Sequence, residues 1–116
     1  DFFCFRHVET LREIMVQYGD EHKQVAVLEM GWTTDPVHPD YAWFAVTPEQ
    51  QADYLVRAYR YAQEHWSPWV GVLVTLSIAD PRWTEQDEQY WWAITEPGWP
   101  EAILRPAYTA LRDMDK

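Results

Sequence analysis

The sequence predicts an α/β segment that belongs to a larger sheet. Helical and strand-like stretches alternate along the 116 residues in the order helix, strand, loop, helix, strand, loop, helix. The two strand-like runs, Val25-Ala-Val-Leu28 and Val70-Gly-Val-Leu-Val74, are continuously apolar. Strands buried on both faces of a parallel sheet read this way, whereas half-exposed strands alternate. Two such strands are too little sheet for a self-contained doubly wound or barrel fold. The chain is therefore expected to be a fragment of a larger α/β protein, or to complete its sheet with a second copy.

Each element has a local cause. Val8, Leu11, Met15 and Tyr18 recur at helical spacing and predict a first helix from about His7 to Tyr18. Gly19 stands where a left-handed residue would end it. The Val25–Leu28 run predicts the first strand. Residues 33–46 read as a long loop, because Asp35, Pro36, His38, Pro39 and Asp40 all favour turns. Thr47-Pro-Glu-Gln50 carries a cap, a first-turn proline and a capping-box glutamine, so a second helix starts there. Ala52, Leu55, Val56, Tyr59, Ala62 and Trp66 are its expected buried stripe, and Ser67-Pro68 its end. Val70–Val74 predicts the second strand. A polar loop with Asp80, Pro81, Asp87 and Glu88 follows. A last helix is expected near Pro106, with Leu104, Tyr108 and Leu111 on its apolar side.

Composition narrows the function. Nine basic against 19 acidic residues give a net charge of −10, which argues against nucleic acid and anionic membrane surfaces as partners. No apolar run approaches the ~18–20 residues of a membrane span. The single cysteine, Cys4, excludes an internal disulfide and a cysteine-based zinc site. Its place between Phe3 and Phe5 predicts a small buried apolar residue. The chain begins at Asp1 with no signal-peptide pattern near it, and is expected to start part-way through a longer protein. Both secreted and cytoplasmic locations are compatible with it. Aromatic residues make up 16% of the chain. About half are expected to fill the core, and the others are candidates for packing against the apolar faces of sugar rings.

The chemistry concentrates at Glu29-Met-Gly-Trp32, directly after the first strand. In parallel α/β folds the C-terminal strand ends face the active site. A carboxylate there, beside a flat indole, suits nucleophilic attack on an anomeric carbon. Gly31 would permit a sharp turn or a close approach to a ligand. Equally open on the residues alone is a strand-end glutamate paired with a surface Arg or Lys.

Several stretches resemble one family: Phe5-Arg6, Leu11-Arg-Glu-Ile-Met-Val16 with Gly19-Asp20, Leu28-Glu-Met-Gly-Trp32, Gln50-Gln-Ala-Asp-Tyr-Leu55 and Trp69-Val-Gly-Val72. In this order and spacing they are similar to the C-terminal part of a (β/α)8-barrel glycoside hydrolase. The clan is the large retaining one that includes cellulases and β-xylosidases. The likeness covers residues 5–74 and continues weakly through Pro106-Ala-Tyr-Thr-Ala-Leu111. It implies that residues 1–116 form one segment of a TIM-barrel catalytic domain, roughly helix six to helix eight. The family's strand-seven motif, of the type Thr-Glu-Phe-Gly-Trp, falls on Leu28–Trp32, which implies that Glu29 is the nucleophile. Trp32 and Trp43 would belong to the sugar-binding lining, with Asp80 at the end of strand eight. The partner would be a β-linked oligo- or polysaccharide, and no cofactor is implied.

Two positions depart from the family pattern. Leu28 stands where a threonine is usual. Strand eight reads Val74-Thr-Leu-Ser77, without the tryptophan that normally floors the cleaved-bond subsite, and Trp83 in the next loop is the candidate replacement. The family's acid/base glutamate ends strand four, which this chain does not contain. Retaining hydrolysis needs two carboxyl groups ~5–5.5 Å apart, so the isolated chain is expected to be inactive or nearly so. The rest of the barrel, or a second copy, is the implied protein partner.

Other groups read more plainly. Asp35, His38 and Asp40 have the residue types of a metal site, but a solvated turn is the favoured reading and no metal is expected. His7 and His22 flank the first helix as surface residues. His65, near a helix end, sits where a cation is favourable. Trp91 and Trp92, if extended, would face opposite ways. The competing function is a non-catalytic module whose exposed Trp and Tyr side chains hold a carbohydrate or a protein.

Overall fold

A computed structural model describes residues 4–115. Asp1 and Phe3, named above, lie outside them. The protein is mixed α/β with two small sheets of two strands each. It divides into two compact units. One comprises the chain up to Met30 together with Ala58–Val74, and the other comprises Gly31–Arg57 and the chain from Thr75 onward.

The first unit contains α1 (His7–Gln17) and β1 (Val25–Met30). Helix α1 ends as its sequence dictates. Gly19 adopts φ 80°, its N–H bonds the Val16 carbonyl at 3.0 Å, and the Asp20 N–H bonds the Met15 carbonyl at 2.8 Å. These are the two reverse bonds of a Schellman ending, which only a left-handed residue permits without strain. The apolar positions of the predicted first helix, Val8, Leu11, Met15 and Tyr18, are not core. No residue of α1 is buried, and Leu11 and Tyr18 are 51% and 78% exposed. Periodicity had marked an apolar face, but a face becomes core only where something covers it.

Strand β1 hydrogen-bonds β2 (Val70–Thr75). The Val25 N–H donates to the Trp69 carbonyl at 2.8 Å, which sets the starts of both strands side by side. An antiparallel pair would set one start beside the other's end, so the strands run parallel. Arg12 supports this corner. It donates to the carbonyls of Glu21 and Lys23 at 2.6 and 2.9 Å, and its guanidinium lies over the Trp69 ring. The expectation that both strands are buried on both faces is corrected. Leu28, Val72 and Val74 are 68%, 49% and 42% exposed, because a two-stranded sheet with few helices cannot cover every face. Cys4 is exposed rather than buried.

Helix α3 (Pro48–Tyr61) begins in the second unit and continues into the first. Its start is the predicted capping box: the Gln50 N–H donates to Thr47 Oγ1, and the Thr47 N–H donates to Gln50 Oε1 at 2.9 Å. It passes into a π-helical turn, Ala62–Trp66, and stops before Pro68. Leu55, Ala58, Ala62 and Trp66 are buried along it, close to the predicted stripe. Val56 and Tyr59 are only half-buried.

The second unit differs most from expectation. Residues 33–46 are not loop throughout, for Pro39–Ala42 form a short helix, α2. The polar stretch after β2 holds α4 (Glu88–Trp92) and an antiparallel pair, β3 (Thr95–Glu96) with β4 (Ile103–Leu104). Trp91 and Trp92 therefore lie on a helix, not on extended chain. Helix α5 (Pro106–Asp113) starts where expected, but it buries Ala107, and Leu104 is exposed. Arg105 joins this start to α4. It donates from Nη1 to the carbonyls of Tyr90 and Ala93 at 2.6 and 3.0 Å, and its guanidinium stacks 4.4 Å from the Tyr90 ring centroid.

Candidate functional site

Glu29 lies within β1, one residue before its end, rather than just after it. The side chain is exposed, between the exposed Leu28 and the buried Met30. Among the described residues no ion pair engages its carboxylate, so the pairing with a surface cation is not made here.

The remaining predicted residues belong to the second unit. Trp32 is half-buried. Its ring meets Tyr54 edge-on at 5.5 Å, and its carbonyl accepts the Gln51 amide at 2.8 Å. Gln51 is buried and also reaches the Trp92 carbonyl, so one side chain holds two separate tryptophan backbones. Gly31 serves packing rather than a turn. A Cβ there would sit 3.3 Å from the Leu76 carbonyl oxygen and 3.8 Å from the Trp92 ring.

Trp43 is 78% exposed, yet its orientation is fixed. Its Nε1 donates to the Asp40 carbonyl at 3.0 Å, and the edge-on ring of Phe44 lies 4.8 Å away. Phe44 in turn joins Tyr41 and Trp92 in an aromatic cluster. Asp80 lies beyond the end of β2 and is engaged at both oxygens. Arg82 grips it through Nε at 2.9 Å and Nη2 at 2.8 Å, which, with the Arg82 backbone N–H, holds the carboxyl down at about 2. Trp83, half-buried, follows in the same turn, its N–H on the Asp80 carbonyl.

Asp35 overturns its reading as part of a solvated turn, for it is fully buried. Its Oδ1 accepts the backbone N–H groups of Val37 and His38 at 2.7 and 2.9 Å, and its Oδ2 faces His38 Nδ1 at 2.7 Å. Burial pushes the carboxyl up, but the bonds from His38 and Val37 together hold it below its ordinary value. The Asp-Pro dipeptide signals such an Asx turn, but nothing local signals its burial. Asp40 is exposed and outside this arrangement. Two further ties went unread in the sequence. Tyr41 donates its hydroxyl to Glu88 at 2.8 Å, and Thr34 donates its hydroxyl to the Trp91 carbonyl at 3.0 Å.

Comparison with family models, curated proteins and solved structures found no match.

Proposed function

We propose that this chain is part of a retaining β-glycosidase, the C-terminal portion of a (β/α)8 barrel, with Glu29 as its nucleophile. The observation that supports this reading most is an exposed carboxylate near the C-terminal end of a parallel strand, followed by a close-packed glycine and a tryptophan. Parallel α/β folds build their active sites at such ends. Glu29 attacks the anomeric carbon, the glycosidic C–O bond breaks, and an acid outside this chain protonates the leaving oxygen. Water then releases the sugar from the ester, with the same acid acting as base. Trp32, Trp43 and Trp83, all of the second unit, are the residues that this reading assigns to sugar binding. Asp80, held by Arg82, braces the loop more than it offers a free acceptor. The remaining barrel, or a second copy of the chain, covers Leu28, Val72 and Val74.

The test is covalent trapping in the full protein. A 2-deoxy-2-fluoro glycoside with a good leaving group should leave a stable sugar ester on the peptide containing Glu29. An ester elsewhere, or none in an enzyme that turns over β-glycosides, would remove the assignment.

One observation favours the second reading, a non-catalytic carbohydrate-binding module. The Trp43 ring is exposed and held in place, as a binding platform requires. Binding of oligosaccharide by the isolated chain, lost in Trp43→Ala and unchanged in Glu29→Gln, would select it.

A further inference from the structure

The ring of His38 joins two segments that are distant in sequence. Its Nδ1 lies 2.7 Å from the buried Asp35 carboxylate, and its Nε2 lies 3.1 Å from the Gln86 carbonyl oxygen. A carboxylate and a carbonyl can only accept. Both ring nitrogens must therefore carry hydrogen for both bonds to exist, and that species is the imidazolium. The charged groups that act on the ring are Asp35, in the turn before α2, and Glu88, on α4. Both are negative. Glu88 is itself held by the Tyr41 hydroxyl, and Asp40, on α2, is exposed.

We propose that His38 is a pH-operated clasp, which when protonated holds the turn at residues 84–87 to the Asp35 turn and when neutral releases it. The step is the loss of one proton from the imidazolium to water. The hydrogen that remains stays on Nδ1, because the carboxylate is the stronger acceptor. Nε2 then presents a lone pair to the Gln86 carbonyl, and acceptor meets acceptor. The Tyr41–Glu88 and Thr34–Trp91 bonds involve neither His38 nor Gln86 and keep α4 in place. The Trp91 indole N–H still holds the Glu85 carbonyl at 3.1 Å, so the release is confined to the Gln86 peptide of that turn, which follows Asp80 and Trp83 in the chain.

The sign follows from the contacts. The Asp35 carboxylate bonded to the ring raises the His38 pKa above 6.5, partial burial opposes this, and the Gln86 carbonyl and Glu88 add to the rise. The clasp is fully closed below the ordinary histidine value and opens as pH rises through the raised one. Asp35, held below its own ordinary value, stays ionised throughout. Under the glycosidase reading, the clasp would tune the lining that contains Trp83. That consequence rests on the reading, whereas the clasp itself does not.

The test is a pH titration of the labelled chain by NMR, following the His38 ring nitrogens and the Gln86 carbonyl carbon. At pH 6 both ring nitrogens should have imidazolium shifts. The His38 midpoint should lie above 6.5, and the Gln86 carbonyl should shift with the same midpoint. In His38→Gln that co-titration should vanish. If this variant fails to fold, the wild-type titration decides alone. A midpoint at or below 6.5, or a titration that leaves Gln86 unmoved, would overturn the clasp. Neither result depends on any sugar, so failure of the clasp and failure of the glycosidase assignment remain separate.

Discussion

The buried indole of Trp66 donates its Nε1 hydrogen to the carboxylate of Glu9 at 2.8 Å. The same carboxylate accepts the Tyr61 hydroxyl at 2.9 Å and Arg6 Nη2 at 2.7 Å. One acidic side chain on α1 thus gathers the end of α3 and the π-helical turn. Trp66 is 1% exposed, so its N–H has no ready alternative in water.

Glu9→Ala should therefore destabilise the fold by about 1–3 kcal/mol, the cost of leaving a buried donor unpaired. Glu9→Gln, which keeps one acceptor oxygen, should cost less. Arg6 bonding first, with Trp66 and Tyr61 adding against the opposing effect of burial, holds the Glu9 carboxyl at about 2 in place of 4.5. A depressed acid stabilises the fold above its ordinary value, and that stabilisation disappears as pH falls from 4.5 toward 2. Urea unfolding across this range should show a steeper acid loss in the wild type than in Glu9→Gln.

Two local signals can be checked without reference to function. Gly19→Ala places a side chain at φ 80° where no atom lies within 4 Å. Its cost should be purely conformational, about 1–2 kcal/mol. Thr47→Ala removes one half of the capping box and should cost about 0.5–2 kcal/mol. The two caps share no bonded partner, so the double variant should lose the sum. A strongly non-additive result would reveal a coupling that the contacts of neither residue contain.

These caps were legible in sequence because their determinants lie within a few residues. So were α1, α3, α5 and both parallel strands. Helices α2 and α4 were not, since four and five residues offer too little periodicity to stand out from a polar loop. How far the apolar face of α1 is covered was not legible, because covering a face is a tertiary fact. Asp35 shows the same divide at the site: its Asx turn is local, but its histidine clasp ends on Gln86, far along the chain. Gly31 was legible as a position needing no side chain, while its actual neighbours, Leu76 and Trp92, come from β2's exit and from a helix the sequence did not announce.

Arg105 offers a sharper test of the second unit. It is nearly buried, makes two bonds to carbonyls from one nitrogen and stacks on Tyr90. Arg105→Ala should destabilise by about 2 kcal/mol or more, since hydrogen bonds to charged groups are worth about 1.5–3 kcal/mol each. Arg105→Lys should not restore the loss, because an ammonium cannot both fork to the carbonyls and lie flat on the ring. Thermal melts of the three proteins decide this, and recovery by lysine would reduce Arg105 to a simple charge.

The last prediction concerns Glu29. Under the glycosidase reading, Glu29→Gln in the full protein should lower kcat on aryl β-glycosides on the order of 10³-fold or more, as loss of a covalent nucleophile does elsewhere. Its side-chain volume is nearly unchanged, so sugar binding should persist. Glu29 is exposed and engages no ion pair among the described residues, so the amide should fold as well as the acid. Unchanged melting with lost turnover then separates chemistry from structure. Under that reading the 116-residue chain alone should not hydrolyse these substrates, because the acid/base partner that Glu29 needs lies outside it. Activity in the isolated chain that disappears with Glu29→Gln would mean that a second carboxyl within it, Glu85 or Glu88 being the first to replace, supplies the proton. A near-normal rate for Glu29→Gln in the full protein would remove the nucleophile from this strand altogether.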